Sequence, residues 1–185
     1  MSKLIPTLPL NGFEKTWPGF AIKEHYMGEL VSLVCVLGEE DKFAASFKKI
    51  FGKPPPKPNE MVEVKGGFAM WSGQGQYMLL LSGENIHADT DIASKFKDTA
   101  YATLQSDGWA SLYVKGGSAL EVLERFIPLD LRRAHDNFAA RTSSHHIAVI
   151  VLKFSDTEIQ LLTPRSSAQS FLEGLVHTAS NVLGV

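Results

Sequence analysis

Two short stretches, one in each half of the chain, point to the fold class: Gly75-Gln-Tyr-Met-Leu-Leu-Leu-Ser82 and Asp156-Thr-Glu-Ile-Gln-Leu-Leu-Thr163. Each starts with turn-forming residues and continues as a short apolar run, which predicts a buried β-strand. A polar loop and an amphipathic helical pattern follow both runs. The predicted order of elements is β-α-β-β-α in both halves. We therefore predict an α+β fold of two pseudo-repeated lobes, each an antiparallel sheet with helices on one face.

The first predicted lobe covers residues 28–104. Leu30–Leu37 is a Val-rich apolar run and predicts a buried strand. Glu39–Phe51 is amphipathic, with acids first and lysines last, as the helix dipole favours, and Gly52 is well placed to end that helix. The other predicted elements are strands over residues 62–71 and 77–81 and a helix from about residue 89 to residue 100.

The second predicted lobe covers residues 105–185. Two segments have the Ser-x-x-Glu/Gln spacing of a capping box, Ser118 to Glu121 and Ser166 to Gln169, and each predicts the start of a helix. Pro128 is expected to stop the first of these helices, because proline cannot continue the hydrogen-bond ladder. The predicted strands are residues 109–114, 146–154 and 157–163.

Residues 1–27 carry prolines, glycines and aromatics without a clear period, and predict an extended N-terminal arm. Trp17 lies on this arm and is the best single candidate for an interface anchor, since tryptophan is enriched at binding hot spots. With the arm set apart, residues 28–185 are expected to form a single domain made of the two lobes.

The composition excludes several classes of protein. Lys and Arg number 18 against 20 Asp and Glu, for a net charge of -2, without the basic stripe of a nucleic-acid binder. The first ten residues lack the sustained apolar segment of a signal peptide, and the apolar runs are too short to span a bilayer. We therefore expect a cytoplasmic protein that binds neither nucleic acid nor membrane.

No motif in the sequence predicts a cofactor or metal site. The glycine pairs Gly66-Gly67 and Gly116-Gly117 belong to no phosphate-binding pattern and predict tight turns. His145 and His146 are adjacent on a predicted strand, so their side chains should point to opposite faces, and His135 would have to join one of them to bind a metal. The single cysteine, Cys35, lies within an apolar strand and is expected to be an inert core residue.

The charged candidates leave alternatives open. Asp107, Asp130 and Asp136 are the best candidate carboxylates, but acid–base chemistry needs two of them to converge, which the sequence does not show. Asp107 is more simply a turn cap before a strand, and Asp130 a ligand of backbone amides after Pro128. Arg141 and Arg165 lie at element boundaries, where arginine serves a subunit contact, an internal salt bridge or an anion site.

An ordered set of segments resembles the gamma subunits of heterotetrameric sarcosine oxidases. These segments, which span roughly residues 28–175, are Phe51-Gly-Lys-Pro-Pro-Pro-Lys-Pro-Asn59, Trp71–Leu81, Ser106-Asp-Gly-Trp109, Gly116-Gly-Ser-Ala-Leu-Glu-Val-Leu123, Pro128-Leu-Asp-Leu131, Ala140-Arg-Thr142 and Pro164-Arg-Ser-Ser-Ala-Gln-Ser-Phe171. One segment departs from the family pattern, since Ser72–Tyr77 stands where the family has Leu-Gly-Pro-Asp-Glu-Trp.

The resemblance implies a fold like the N-terminal domain of glycine-cleavage aminomethyltransferases. It also implies a complex that demethylates sarcosine oxidatively to glycine, with tetrahydrofolate as the one-carbon acceptor. In such complexes the larger subunits hold FAD, FMN, NAD and tetrahydrofolate. The gamma subunit carries no cofactor, has no catalytic residues of its own and packs on the alpha subunit, and through it on beta and delta.

Two other functions compete with this interpretation. A free-standing tetrahydrofolate protein would need an apolar slot with a carboxylate at its base, and Asp107 or Asp130 would have to supply it. A self-associating domain is the other alternative, in which an isolated subunit hides an apolar face by forming a homodimer.

Overall fold

The computed structural model describes residues 7–184, which form eleven β-strands and four α-helices. The strands are β1 (Glu14–Trp17), β2 (Phe20–Glu24), β3 (Glu29–Cys35), β4 (Met61–Val64), β5 (Gly67–Gly73), β6 (Gln76–Leu81), β7 (Ala100–Leu104), β8 (Trp109–Lys115), β9 (Phe138–Ser144), β10 (Ile147–Ser155) and β11 (Glu158–Pro164). The helices are α1 (Glu40–Phe51), α2 (Ala88–Phe96), α3 (Ala119–Phe126) and α4 (Ala168–Leu183). Within residues 7–184, no helix has both the length and the apolar character needed to cross a membrane.

The strands form two sheets, which confirms the predicted α+β class with antiparallel sheets. The chain divides into two compact units. Unit 1 contains the described residues 7–26, 108–136 and 142–184, and unit 2 contains residues 27–107 and 137–141. Because 137–141 belong to unit 2, strand β9 begins in one unit and ends in the other. Residues 137–141 belong to unit 2 because two backbone hydrogen bonds join them to residues 59–61. The Met61 N–H donates to the Asn137 carbonyl (2.8 Å), and the Ala139 N–H donates to the Asn59 carbonyl (3.2 Å).

Unit 2 has a five-stranded sheet in the order β4-β5-β6-β3-β7. Helix α1 forms because Phe43, Phe47 and Phe51 recur at a spacing of four residues and are all buried. Gly52 ends the helix as predicted, with a left-handed φ of 83° and its N–H donated to the Lys48 carbonyl. The three phenylalanines pack with α2 and with one face of the sheet. This core contains Val31, Leu33, Val64, Ala69, Leu79, Ala88, Ile92, Phe96 and Ala100.

Unit 1 has a six-stranded sheet in the order β1-β2-β8-β11-β10-β9. Its helices α3 and α4 each bury an apolar stripe, and Phe126 of α3 meets Phe171 of α4 edge to face at 5.1 Å between ring centroids. The central strands are apolar because both of their faces are covered: Ile159, Leu161 and Leu162 of β11 are all fully buried.

The two sheets repeat one strand order, which gives the predicted pseudo-repeat a structural form. In unit 2 the order is β4-β5-β6-β3-β7, and in unit 1 the corresponding order is β9-β10-β11-β8-β2. The last position is filled differently, because β7 follows α2 in the chain whereas β2 comes from the N-terminal segment. Unit 1 then has one further strand, β1, outside β2. The second repeat is therefore completed by residues that precede the first.

The segment predicted as an extended arm, residues 1–27, contains regular structure in its described part. β1 and β2 form an antiparallel hairpin around Pro18-Gly19, and β2 pairs with β8. The physical reason is an alternation that is easily missed in so short a strand: Phe20, Ile22 and Glu24 are all buried, whereas Lys23 is exposed. Residues 1–6 of the predicted arm lie outside the described residues.

Three other elements differ from the sequence-based prediction. The strand predicted over residues 62–71 is a hairpin, β4 and β5, turning at Lys65-Gly66. The helix predicted to reach Ala100 ends at Phe96, and the chain continues as strand β7. The sequence does not predict β9 as a strand, because Phe138–Ser144 is half polar and its buried residues do not alternate with exposed ones.

The two capping boxes are not formed. Ser118 and Ser167 occupy the positions before α3 and α4, and neither side chain makes a capping hydrogen bond. Both residues have backbone angles near φ -89° and -114° with ψ close to 0°, rather than the extended conformation that aims a capping hydroxyl at the helix N–H groups. Ser166 lies in the short 3-10 turn that precedes α4.

We therefore expect Ser118→Ala and Ser166→Ala to change the free energy of unfolding by less than about 0.5 kcal/mol. A formed capping box would make each change cost about 1 kcal/mol. Urea denaturation followed by circular dichroism measures the difference, and a loss near the larger figure for either variant would contradict the described helix starts.

Candidate functional site

The candidate carboxylates Asp107 and Asp130 are both exposed and lie in different units. Asp130 caps its own turn: its Oδ1 accepts the N–H of Arg133 (3.2 Å), and its Oδ2 lies 3.5 Å from the Arg133 guanidinium. Asp107 lies in the 3-10 turn Ser106–Gly108 that leads into β8. Both placements are those of turn residues, and neither carboxylate lies at the base of an apolar pocket.

The candidate histidines lie outside the strands and helices, two of them in a turn. His145 and His146 have φ values of 49° and 65° and form the two-residue turn between β9 and β10, whereas the sequence predicted that the strand begins at His146. Two successive left-handed residues are typical of the type I′ hairpin turn. His135 Nδ1 lies 2.8 Å from the Asp136 carbonyl oxygen. Residues 7–184 contain no group of three or more His, Cys, Asp or Glu side chains placed to hold a metal ion.

The interface candidates have different surroundings. Trp17 is only 6% exposed; it packs against Phe20 and lies 4.7 Å from the Lys15 ammonium, so its own chain covers the ring. Arg141 on β9 and Arg165 before α4 are exposed, and neither forms an ion pair with another described residue. Their guanidinium groups therefore keep their hydrogen-bond donors for solvent or for a partner.

Cys35 ends β3 at the edge of the unit 2 core and is partly exposed. Burial raises the pKa of its thiol, and the nearby Glu40 and Glu39 carboxylates raise it further. Its Sγ donates to the Val36 carbonyl at 3.3 Å. The thiolate is the reactive form of cysteine, so these surroundings disfavour nucleophilic chemistry.

We expect iodoacetamide to alkylate Cys35 at pH 7.5 several-fold more slowly in the folded protein than in guanidinium chloride. A raised pKa leaves a smaller thiolate fraction at that pH, and unfolding removes both causes of the shift. Mass spectrometry of timed samples measures both rates. Alkylation of the folded protein at the unfolded rate or faster would contradict this environment.

Three buried ionisable groups were not predicted as site residues. Glu24 (3% exposed) accepts the N–H groups of Leu10 (2.8 Å) and Gly12 (2.7 Å) through its two carboxylate oxygens. Glu29 (6% exposed) accepts the Asn85 N–H (3.1 Å) and the Ser106 hydroxyl (2.6 Å). Each carboxylate thus anchors a neighbouring loop to its strand.

Lys153, the third group, is 1% exposed and points toward the segment after α3. Its ammonium donates to the Ala134 carbonyl (2.5 Å) and pairs with Asp156 (2.7 Å). The sequence contains a signal for this buried lysine. Val149, Val151 and Lys153 lie on one face of β10, and the two valines mark that face as apolar. A charge at an inward position of a strand indicates a buried, paired group.

A row of aromatic rings lies on one face of the unit 1 sheet. Tyr113 of β8 meets His25 edge to face at 4.7 Å and stacks on Phe154 at 6.1 Å between ring centroids. Burial lowers the pKa of His25, and the positive charges of Lys115 and Lys23 lower it further. Burial raises the pKa of Tyr113, with a smaller effect from the Glu158 carboxylate. Both shifts favour the neutral form of the side chain, which suits the packing of the two rings.

A shallow groove of about 490 Å³ runs between α3 and α4. Glu121, Arg125, Thr178, Asn181 and Val182 line it. The lining is mainly polar and contains neither Asp107 nor Asp130. This groove does not provide the apolar slot with a carboxylate at its base that binding of a pterin ring requires.

No protein-family model matches the sequence, and no curated protein sequence matches it. Solved structures match the fold. A chain of heterotetrameric sarcosine oxidase from Corynebacterium sp. U-96, solved in complex with pyrrole 2-carboxylate, superposes with a TM-score of 0.77 at 21% identity, over 89% of this chain and 85% of that chain. Glycine cleavage system aminomethyltransferase T from Bartonella henselae gives a TM-score of 0.68 at 11% identity, over 92% of this chain but only 57% of that chain. At these identities the likeness concerns the fold: the chain has a sarcosine oxidase-related, aminomethyltransferase-like fold.

Proposed function

We propose that this chain is a non-catalytic gamma subunit of a cytoplasmic sarcosine oxidase complex and packs on the alpha subunit. The observation that carries the proposal is the two-way coverage of the match. This chain and a chain of the heterotetramer cover 89% and 85% of each other, so they correspond nearly end to end. The aminomethyltransferase, by contrast, is matched over 57% of its length.

The use of the buried charges supports a structural role. The buried ionisable side chains among the described residues are Glu24, Glu29 and Lys153. Each of them forms hydrogen bonds with groups of a neighbouring loop and so holds that loop in place. A general acid or base must instead reach a reacting group in a pocket, with a pKa suited to proton transfer. The side chains with exposed polar groups, Arg141 and Arg165 above all, suit contact with a partner.

In this proposal the complex demethylates sarcosine oxidatively to glycine and passes the one-carbon unit to tetrahydrofolate. FAD, FMN, NAD and tetrahydrofolate belong to the larger subunits, and the gamma subunit contributes surface rather than chemistry. This assignment rests on the resemblance of the ordered sequence segments together with the shared fold, and it places the complex in sarcosine catabolism and one-carbon metabolism.

A free-standing tetrahydrofolate protein is the second candidate, since the fold is shared with an aminomethyltransferase over 92% of this chain. It would use Asp107 or Asp130 to hold the pterin. Because both carboxylates are exposed and the groove between α3 and α4 is mainly polar, we rank it below the subunit role.

Co-expression with the candidate large subunits from the same source tests the proposal. The tagged chain is purified by affinity and run on size exclusion, with detection of flavin absorbance. We expect a yellow high-mass peak that contains this chain and the large subunits, whereas the chain purified alone should be colourless.

In parallel, isothermal titration calorimetry measures whether the isolated chain binds tetrahydrofolate. Saturable binding that Asp107→Asn or Asp130→Asn abolishes, together with no co-elution, would overturn the subunit role in favour of the second candidate. Arg141→Ser and Arg165→Ser, run beside the wild type, tell whether these exposed guanidinium groups contribute to assembly.

A further inference from the structure

The edge of the unit 2 sheet ends at β7, a strand of five residues. Just outside the paired residues, the Gln105 N–H donates to the Leu30 carbonyl and the Val36 N–H donates to the Thr99 carbonyl. Antiparallel pairs alternate between hydrogen-bonded and non-bonded positions. Counting inward from these two bonds, Tyr101 and Thr103 are bonded to β3, and the N–H and C=O of Ala102 point away from it.

In the internal repeat, the strand that corresponds to β7 has a further strand paired along its outer edge. In unit 1 the strand at the corresponding position is β2, and β1 covers its outer edge as an antiparallel strand of four residues. At the other end of the unit 2 sheet, one antiparallel bridge, from Glu60 to Phe138, lies next to the start of β4. Among residues 7–184, no strand lies outside β7.

The sequence of β7 lacks the residue types that protect a sheet edge from pairing with another strand. Ala100–Leu104 contains no charged residue, proline or glycine. The exposed end strand of unit 1, β1, has Glu14 and Lys15 in its first two positions and is protected by them. Tyr101 is 70% exposed and stands on the face opposite to Ala100 and Ala102, which pack on the core.

The open part of this edge is short. Ala100 is only 4% exposed, so the strand is closed at its start. The Asp89 carboxyl has its pKa lowered by hydrogen bonds, first from the Thr90 amide and more weakly from the Leu104 amide, which places Asp89 near the other end. The accessible stretch is therefore the three residues Tyr101–Thr103, centred on Ala102, one fewer than the four pairs that β1 makes with β2.

We propose that the β7 edge is a strand-addition site for an extended segment of a larger partner subunit, antiparallel to β7 and uncharged where it covers Tyr101. The inference rests on the proposed function, because that function supplies the partner. The small size of the contact decides between the possible occupants: a contact of about three residue pairs falls far short of the roughly 1,200 Å² that a stable interface buries in total. A second copy held by β7 alone would not persist, whereas a large subunit that also contacts other surfaces gains register and specificity from the added strand.

Ala102→Pro tests this contact selectively. Because the Ala102 N–H makes no bond to β3, proline removes no hydrogen bond of the ladder, and proline is tolerated at edge positions of this kind. The same change removes the outward donor and places the ring where an added strand would lie. Tyr101→Ser removes the exposed ring, and Glu63→Ser on β4, at the opposite end of the same sheet, is the matched control.

Each variant is co-expressed with the candidate large subunits, and the amount of large subunit retained on the tagged chain is compared with wild type. Circular dichroism and a melting curve confirm that each variant is folded. We expect at least a tenfold loss for Ala102→Pro, a several-fold loss for Tyr101→Ser and wild-type retention for Glu63→Ser.

The outcomes separate the two proposals. If wild type and all three variants retain the large subunits equally, the β7 inference is overturned and the subunit role stands. If wild type itself retains none, the subunit role fails and the inference fails with it. If the isolated wild-type chain is a dimer that Ala102→Pro dissociates, a second copy occupies the edge and the larger partner is the wrong occupant.

Discussion

Replacing Gly116 by alanine is expected to cost about 3–5 kcal/mol of the free energy of unfolding, enough to leave little folded protein in a domain of ordinary stability. Gly116 follows β8 with a φ of 122°, a conformation that L side chains rarely adopt. A Cβ at this position would lie 2.2 Å from the Gly19 carbonyl oxygen and 2.8 Å from its carbon. Those atoms are backbone and cannot be displaced by a change of rotamer, so the N-terminal hairpin would have to move.

The neighbouring glycine is the control for this prediction. A Cβ on Gly117 would meet no atom within 4 Å, and its φ is not in the left-handed region. Gly117→Ala should therefore be neutral, or stabilising by up to about 1 kcal/mol through the unfolded state. Urea denaturation of both variants measures the contrast. Equal stabilities for the two would show that the hairpin does not pack on the β8–α3 turn as described.

Removing the Glu24 carboxylate is expected to cost about 3 kcal/mol or more, because two backbone N–H groups lose charge-assisted hydrogen bonds worth roughly 1.5–3 kcal/mol each. Both bonds are short, and Glu24 is 3% exposed, so water does not readily replace it. The variant is Glu24→Ala. Limited proteolysis should then cleave near residues 8–13, since the carboxylate holds this segment on β2.

Glu14→Ala provides the matched control on the same hairpin. Glu14 pairs with Lys23 at 2.7 Å, but both side chains are more than half exposed. An exposed ion pair contributes about 0–1 kcal/mol, so this variant should keep nearly wild-type stability and protease resistance. A Glu24→Ala protein as stable as Glu14→Ala would contradict the anchoring role of the buried carboxylate.

The elements with long apolar patterns were predictable from the sequence. β3, α1, β8, β10 and β11 follow runs or stripes whose buried faces extend over several residues, and their predicted bounds agree with the structure to within a few residues. Short or mixed elements were not predictable in this way. β2, β7 and β9 are only five to seven residues long and include polar or small side chains, so their pairing depends on partners far away in the chain.

The candidate functional residues likewise include features that the sequence predicts and features that only the structure shows. Sequence spacing indicated helix starts near Ser118 and Ser166, but hydroxyl geometry depends on local φ and ψ, and no capping bond forms. Trp17 was predicted from residue type as an interface anchor, yet the hairpin buries its ring. The β7 edge has no motif in the sequence. It becomes visible only when the strand order of the two repeats is compared.

The most direct test of the subunit role is the native mass of the flavin-containing complex purified through a tag on this chain. We expect a single species that contains one copy of this chain together with the larger subunits, and whose flavin absorbance is bleached when sarcosine is added. Recovery of the chain without flavin or large subunits, from cells that contain the assembled oxidase, would contradict it.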